Sequence, residues 1–105
     1  MNEEQLRVRL SRELPKWSWD GQCIVRTYRT SGWSATLQVT NAIAYLAEAS
    51  WHHPDLEISW GHVMVRLTTH DAGGVTDKDL DLAHRMESLV LQNPGGHHHP
   101  LVLES

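Results

Sequence analysis

The chain opens with Leu6, Leu10 and Leu14 four residues apart among charged neighbours. That spacing predicts a short amphipathic helix over residues 3–13, ended by Pro15. The stretch KWSWDGQCIVRTYRT follows. Its Asp20-Gly21 pair predicts a hairpin with a type I′ turn, which needs positive φ at both central residues, between strands over 16–19 and 22–30. Ser31 is a candidate N-cap for a long helix over 32–50, because Ala35, Leu37, Val39, Ala42, Ile43, Leu46 and Ala47 recur at intervals of three and four. Pro54 disfavours helical geometry at His53, so this helix should end near Trp51 or His52.

Strict alternation then takes over. Val63, Val65 and Leu67 alternate with His62, Met64 and Arg66, the signature of a strand with one buried face, and Gly61 splits residues 56–69 into two strands. A loop, Asp71-Ala72-Gly73-Gly74, leads to Thr76-Asp77-Lys78-Asp79, an acidic form of the capping box. It opens a last helix that carries Leu82, Met86, Leu89 and Val90 and stops by Asn93-Pro94-Gly95. The order α-β-β-α-β-β-α predicts an α+β domain, an antiparallel sheet of four strands with helices packed on one face. One domain over 1–92 accounts for these elements, and 93–105 reads as a disordered tail.

Composition narrows the class. With 105 residues, 21% charged and 40% hydrophobic, the chain has room for one core. A net charge of −4 and scattered Lys and Arg argue against a nucleic-acid platform. The longest apolar run, Ala42 to Ala47, is far short of a membrane span. Cys23 is the only cysteine, and the acidic start MNEEQLRVRL lacks the order of a secretory signal, so a cytoplasmic location is expected. Phe is absent, whereas Trp occurs five times and His eight times, three of them in Gly96-His97-His98-His99-Pro100. That tail cluster reads as a weak metal binder at most.

The candidate chemistry centres on ASWHHPD. Glu48 and His52 are four apart, so a helix would let them touch. His52 and His53 fall at a helix C-terminus, a negative field that suits a proton-carrying imidazole. His70 ends the strand LTTH, and Asp79 sits in the first turn of the last helix. Such a set can cap helices, move protons or bind a metal. Adjacent histidines seldom aim at one centre, which weighs against zinc. Trp17 and Trp60 read more readily as core residues than as ligand contacts, and Cys23, His62 and His84 read as inert, surface or interface positions.

The spaced set Glu48-x3-His52-His53-Pro54-x5-Trp60-x9-His70-x8-Asp79 resembles the signature of the pterin-4a-carbinolamine dehydratase family. The run VMVRLTTHDAGGVTDKDLDLA looks like that family's strand, loop and final helix, and the similarity covers roughly residues 14–91. It implies a hydro-lyase acting on a 4a-hydroxytetrahydropterin, releasing water to give quinonoid dihydropterin by histidine acid–base catalysis, with no metal and no redox cofactor. It also implies a homodimer or a dimer of dimers. By position, His52, His53 and His70 would be catalytic, His53 and His70 as the acid–base pair and His52 polarising the hydroxyl. Glu48 would orient His52, Asp79 would orient or charge-balance the site, and Trp17, Pro54 and Trp60 would frame the pterin.

Three departures stand out. Trp51 precedes His52 where the family has a small or polar residue. Thr30, Leu37 and Val39 occupy positions where Phe is frequent, and the tail beyond Gln92 has no counterpart. They leave open a second class implied by the resemblance, a non-enzymatic protein holding a client: a dimerisation cofactor, or a RuBisCO assembly factor of a carboxysome gene cluster. Exposed Trp51 or Trp33 would serve as a binding hot spot there.

Overall fold

In the computed structural model, which describes residues 1–92 and 101–103, Asn2 opens the first helix, α1 (Glu3–Glu13). Its side chain accepts from the Gln5 amide, and Gln5 returns a bond to the Asn2 amide. Leu6, Leu10 and Leu14 are buried as their spacing predicts. β1 (Ser18–Trp19) and β2 (Ile24–Arg29) form the expected hairpin, but not through a two-residue turn. Trp19 pairs with Ile24, so residues 20–23 make the loop. The Asp20 carboxylate accepts from the amides of Gln22 and Cys23 at 2.9 and 2.8 Å, and those bonds hold its own pKa down. An aspartate engaged this way replaces the type I′ turn, and only Gly21 takes positive φ in this loop.

The long helix, α2 (Trp33–Ser50), is capped by Gly32 rather than Ser31, without a side-chain bond. Gly32 has a φ of 154°, and a Cβ there would meet the Trp60 ring at 3.4 Å. β3 (Asp55–Ser59), β4 (His62–Leu67), a 3-10 turn (His70–Ala72) and α3 (Asp77–Leu91) complete the chain, and Thr76 and Asp79 form the predicted capping box. The strands lie in the order β1-β2-β4-β3, all antiparallel.

Register explains the core. Ile24 faces Leu67, Arg26 faces Val65 and Tyr28 faces Val63, so one sheet face carries all six toward the helices. α2 and α3 supply Val39, Ile43, Leu80, Ala83, Met86 and Val90, each no more than 1% exposed. Burial of each Val, Ile, Leu and Met among them contributes about 1.5–3 kcal/mol. Two polar knots interrupt this apolar layer. Glu87 Oε1 accepts from Trp17 Nε1, Arg26 Nε and Tyr28 Oη at 2.9, 2.7 and 2.7 Å. Thr36 Oγ1 donates to the Trp60 carbonyl at 2.8 Å, which leaves Thr30 to donate to Thr36 at 2.6 Å. The hydroxyl of Thr30 thus joins β2, α2 and the β3–β4 turn, at a position expected to be aromatic.

The expected disordered tail falls mostly outside the described residues, but 101–103 lie against the sheet. Val102 pairs with Thr30, the Leu103 amide donates to the Arg29 carbonyl at 2.8 Å, and Leu101 and Val102 are buried. Among the described residues no helix is long and apolar enough to cross a membrane.

Candidate active site

Topology places Glu48, His52, His53, His70 and Asp79 toward one end of the sheet. α2 ends where Trp51 adopts left-handed geometry (φ 50°, ψ 44°), and the His52 amide reaches back to the Ala47 carbonyl at 3.1 Å. The chain then turns through Pro54 into β3. Because β3 and β4 are antiparallel, Asp55 sits opposite Arg66, and the segment Thr68–His70 emerges beside His52 and His53. α3 begins next to it.

The left-handed Trp51 breaks the i,i+4 relation on which the Glu48–His52 pairing was expected. His52 lies beyond the helix, and its Nε2 meets Asp79 Oδ1 at 2.5 Å. Glu48 instead holds His53, Oε1 to Nε2 at 2.7 Å, and the Trp51 ring packs edge-on to His53 with centroids 5.1 Å apart. Each of the adjacent histidines therefore has its own carboxylate, but in different surroundings. The His52 and Asp79 side chains are 15% and 0% exposed, whereas His53 and Glu48 are 52% and 65% exposed.

Asp79 is the hub. Besides His52, it accepts at Oδ2 from Thr69 Oγ1 at 2.7 Å and from the Thr76 amide at 2.8 Å. Thr69 spends its one proton on Asp79, so Thr76 Oγ1 donates to Thr69 at 2.8 Å. A buried carboxylate with three partners is well satisfied, and it holds the His52 ring at Nε2. Thr69 is also the residue before His70, so one short path of bonds links the two histidine segments. His70 itself is exposed, at the head of the 3-10 turn that Gly73 closes with a φ of 74°. Reciprocal bonds between Thr69 and Gly74 pin that loop.

His70 borders a cleft of about 750 Å³, with Trp19, Cys23, Asp55, Thr68 and Gly73 among its walls. His52 instead lines a smaller depression of about 150 Å³ with Ser50, Lys78 and Arg85. Burial lifts the Cys23 thiol pKa above its usual value, aided by Asp20 and Asp55.

Two expected pocket residues lie elsewhere. Trp17 is 3% exposed and bonded to Glu87, eight residues beyond Asp79 on α3, about 12 Å along the axis. Trp60 is in the turn after β3, at the far end of a five-residue strand about 16 Å long, against Gly32. Pro54 is half-buried and lines neither depression. The overlooked residues are Thr69, Trp19 and Glu87. The alternation Trp17-Ser18-Trp19, which an extended strand would turn to one face, was the available signal for Trp19. No set of three His, Cys, Asp or Glu among the described residues is arranged to hold a metal ion.

Residues 1–89 match the family model described as pterin 4 alpha carbinolamine dehydratase. The chain belongs to the pterin-4a-carbinolamine dehydratase family. Among similar curated proteins is one from Aquifex aeolicus, 46% identical over 90 residues, covering 86% of this chain and 90% of that one. Another, from Haloarcula marismortui, is 46% identical over 81 residues, covering 76% and 88%. Both bear the name "Putative pterin-4-alpha-carbinolamine dehydratase". A solved structure described as a transcriptional coactivator/pterin dehydratase from Brucella melitensis superposes with a TM-score of 0.77 at 30% identity, covering 85% of this chain and 96% of that one. A pterin dehydratase-like protein described as a RuBisCO assembly factor in the alpha-carboxysome reaches 0.62 at 18% identity, covering 70% and 88%, a likeness of fold alone. The dehydratase family thus shares this fold, and residues 101–103 lie beyond the matched segment.

Proposed function

We propose that the protein is a 4a-hydroxytetrahydropterin dehydratase. A proton reaches the 4a-hydroxyl oxygen, the C4a–O bond breaks and water leaves. The N5 proton passes to a base as the C4a–N5 double bond forms, giving quinonoid dihydropterin. The step is a redox-neutral elimination, so two titratable groups suffice, and histidine suits both roles near neutral pH. In this reading His53 and His70 are the acid–base pair, and His52 helps to bind and polarise the hydroxyl. Glu48 orients His53, and Asp79 orients His52. The observation that carries it is the His52–Asp79 pair, buried and tied through Thr69 to the segment bearing His70. The enzyme would act as a cytoplasmic homodimer or dimer of dimers.

The test is dehydration of synthetic 4a-hydroxytetrahydropterin by purified protein. Turnover is expected, and His53→Ala and His70→Ala should each lower kcat by about 10²-fold or more. Absence of turnover ends the reading; turnover indifferent to both changes ends the site assignment.

A second reading rests on the exposure of Trp51 and Tyr45, 76% and 77%. Such rings suit capture of a protein client. A protein without turnover whose client binding is lost in Trp51→Ala would favour it.

A further inference from the structure

We infer that Trp19 is the aromatic wall against which the pterin ring lies in the cleft beside His70, an assignment that rests on the dehydratase reading. Trp19 stands between two depressions. On one side is Arg7, held by Glu3 at 3.0 Å, with its guanidinium carbon 5.4 Å from the Trp19 ring centroid. Arg7, Trp17 and Trp19 share a depression of about 330 Å³ there. On the other side Trp19 borders the cleft of about 750 Å³, which Arg7 does not line. Arg7 therefore lies over the ring without lining the cleft.

The cleft suits a flat, polar-edged bicycle. Its volume is in the range of small-molecule sites. Asp55 and Thr68 among its lining residues offer acceptors to the ring N–H and amino groups of a pterin, and His70 lines the same cleft. Trp19 is only partly buried at the end of a two-residue edge strand, whereas Trp17, two positions earlier, is 3% exposed and bonded to Glu87. Trp17 has a structural partner, whereas Trp19 keeps exposed surface and lines the cleft.

Oxidised biopterin, which cannot react, is the probe, titrated by calorimetry into full-length protein. Trp19→Leu should weaken it about tenfold or more, the scale of aromatic stacking on a nucleobase, while Trp19→Phe should stay within about threefold. With 4a-hydroxytetrahydropterin, Trp19→Leu should raise KM by a similar factor and leave kcat within about threefold. In wild-type protein the Trp19 indole N–H resonance, identified by its loss in Trp19→Phe, should shift as biopterin binds, whether or not Trp19→Leu folds. Biopterin binding with that resonance unmoved, or equal affinity in Trp19→Leu, overturns the assignment alone. Wild-type protein with neither biopterin binding nor turnover overturns the dehydratase reading and this inference with it.

Discussion

Replacing Asp79 with asparagine removes one charge from the best-connected buried group of the site. The carboxylate is fully buried and accepts from His52, Thr69 and the Thr76 amide at 2.5, 2.7 and 2.8 Å. A hydrogen bond to a charged group contributes about 1.5–3 kcal/mol and a neutral one about 0.5–1.5, so each weakens by about 1 kcal/mol. The new amide must also present its NH2 to one set of donors. The less costly orientation aims the oxygen at Thr69 and Thr76 and the NH2 at His52, whose ring proton must then move to Nδ1. Asp79→Asn should therefore cost about 2–3 kcal/mol, lowering Tm by roughly 10–20 °C at about 4–8 °C per kcal/mol. It should also lower turnover, because the carboxylate that holds the His52 ring in place is lost. Urea unfolding followed by far-UV circular dichroism measures the loss. A double-mutant cycle with Thr69→Val should show coupling of at least about 0.5 kcal/mol. A loss under about 1 kcal/mol, or additive double-mutant behaviour, would refute the hub.

Four further outcomes are expected. Glu87→Ala removes the acceptor shared by Trp17, the buried Arg26 and Tyr28, and should cost about 3–5 kcal/mol in the same urea experiment. Trp51→Gly relieves left-handed strain of about 1–2 kcal/mol with little burial lost, so Tm should rise; a fall would mean that the contact with His53 outweighs the strain. Truncation after Gln92 exposes the contacts of Leu101 and Val102 and should cost about 2 kcal/mol or more, read as a lower urea midpoint. Glu13, bonded to Arg9 and His84, has its pKa depressed from 4.5 to about 2, so its contribution is present above 4.5 and lost as pH falls toward 2. The stability gap between wild type and Glu13→Gln should close over that window; a gap that persists at pH 2 would contradict the pairing.

Much of the molecule could be read along the chain. The repeat of Leu6, Leu10 and Leu14 was enough for α1, because a helix that buries one face needs only a periodic pattern. The alternation of Val63, Val65 and Leu67 was enough for β4, since a strand turns successive side chains to opposite faces. Thr76 and Asp79 marked the start of α3 because a capping box is chemistry between residues three apart. Their places at element ends, and the resemblance of the spaced set to the family signature, singled out His52, His53, His70 and Asp79. Arg26 escaped, since nothing near it in sequence announces Glu87, 61 positions later.

What sequence determined by itself were the order of elements, the buried stripe of each and the short list of residues able to move protons. All of these depend on neighbours within a few positions. Tertiary structure decided the partnerships. One residue in left-handed geometry, Trp51, took His52 off its helix and away from Glu48, and the antiparallel return of β4 brought Asp79 and Thr69 to meet it. The same long-range packing sent Trp17 into the core and left Trp19 at the cleft. It also drew Leu101 and Val102 onto the end of β2. Such choices follow from which surfaces exclude water together, and that is settled only when distant segments meet.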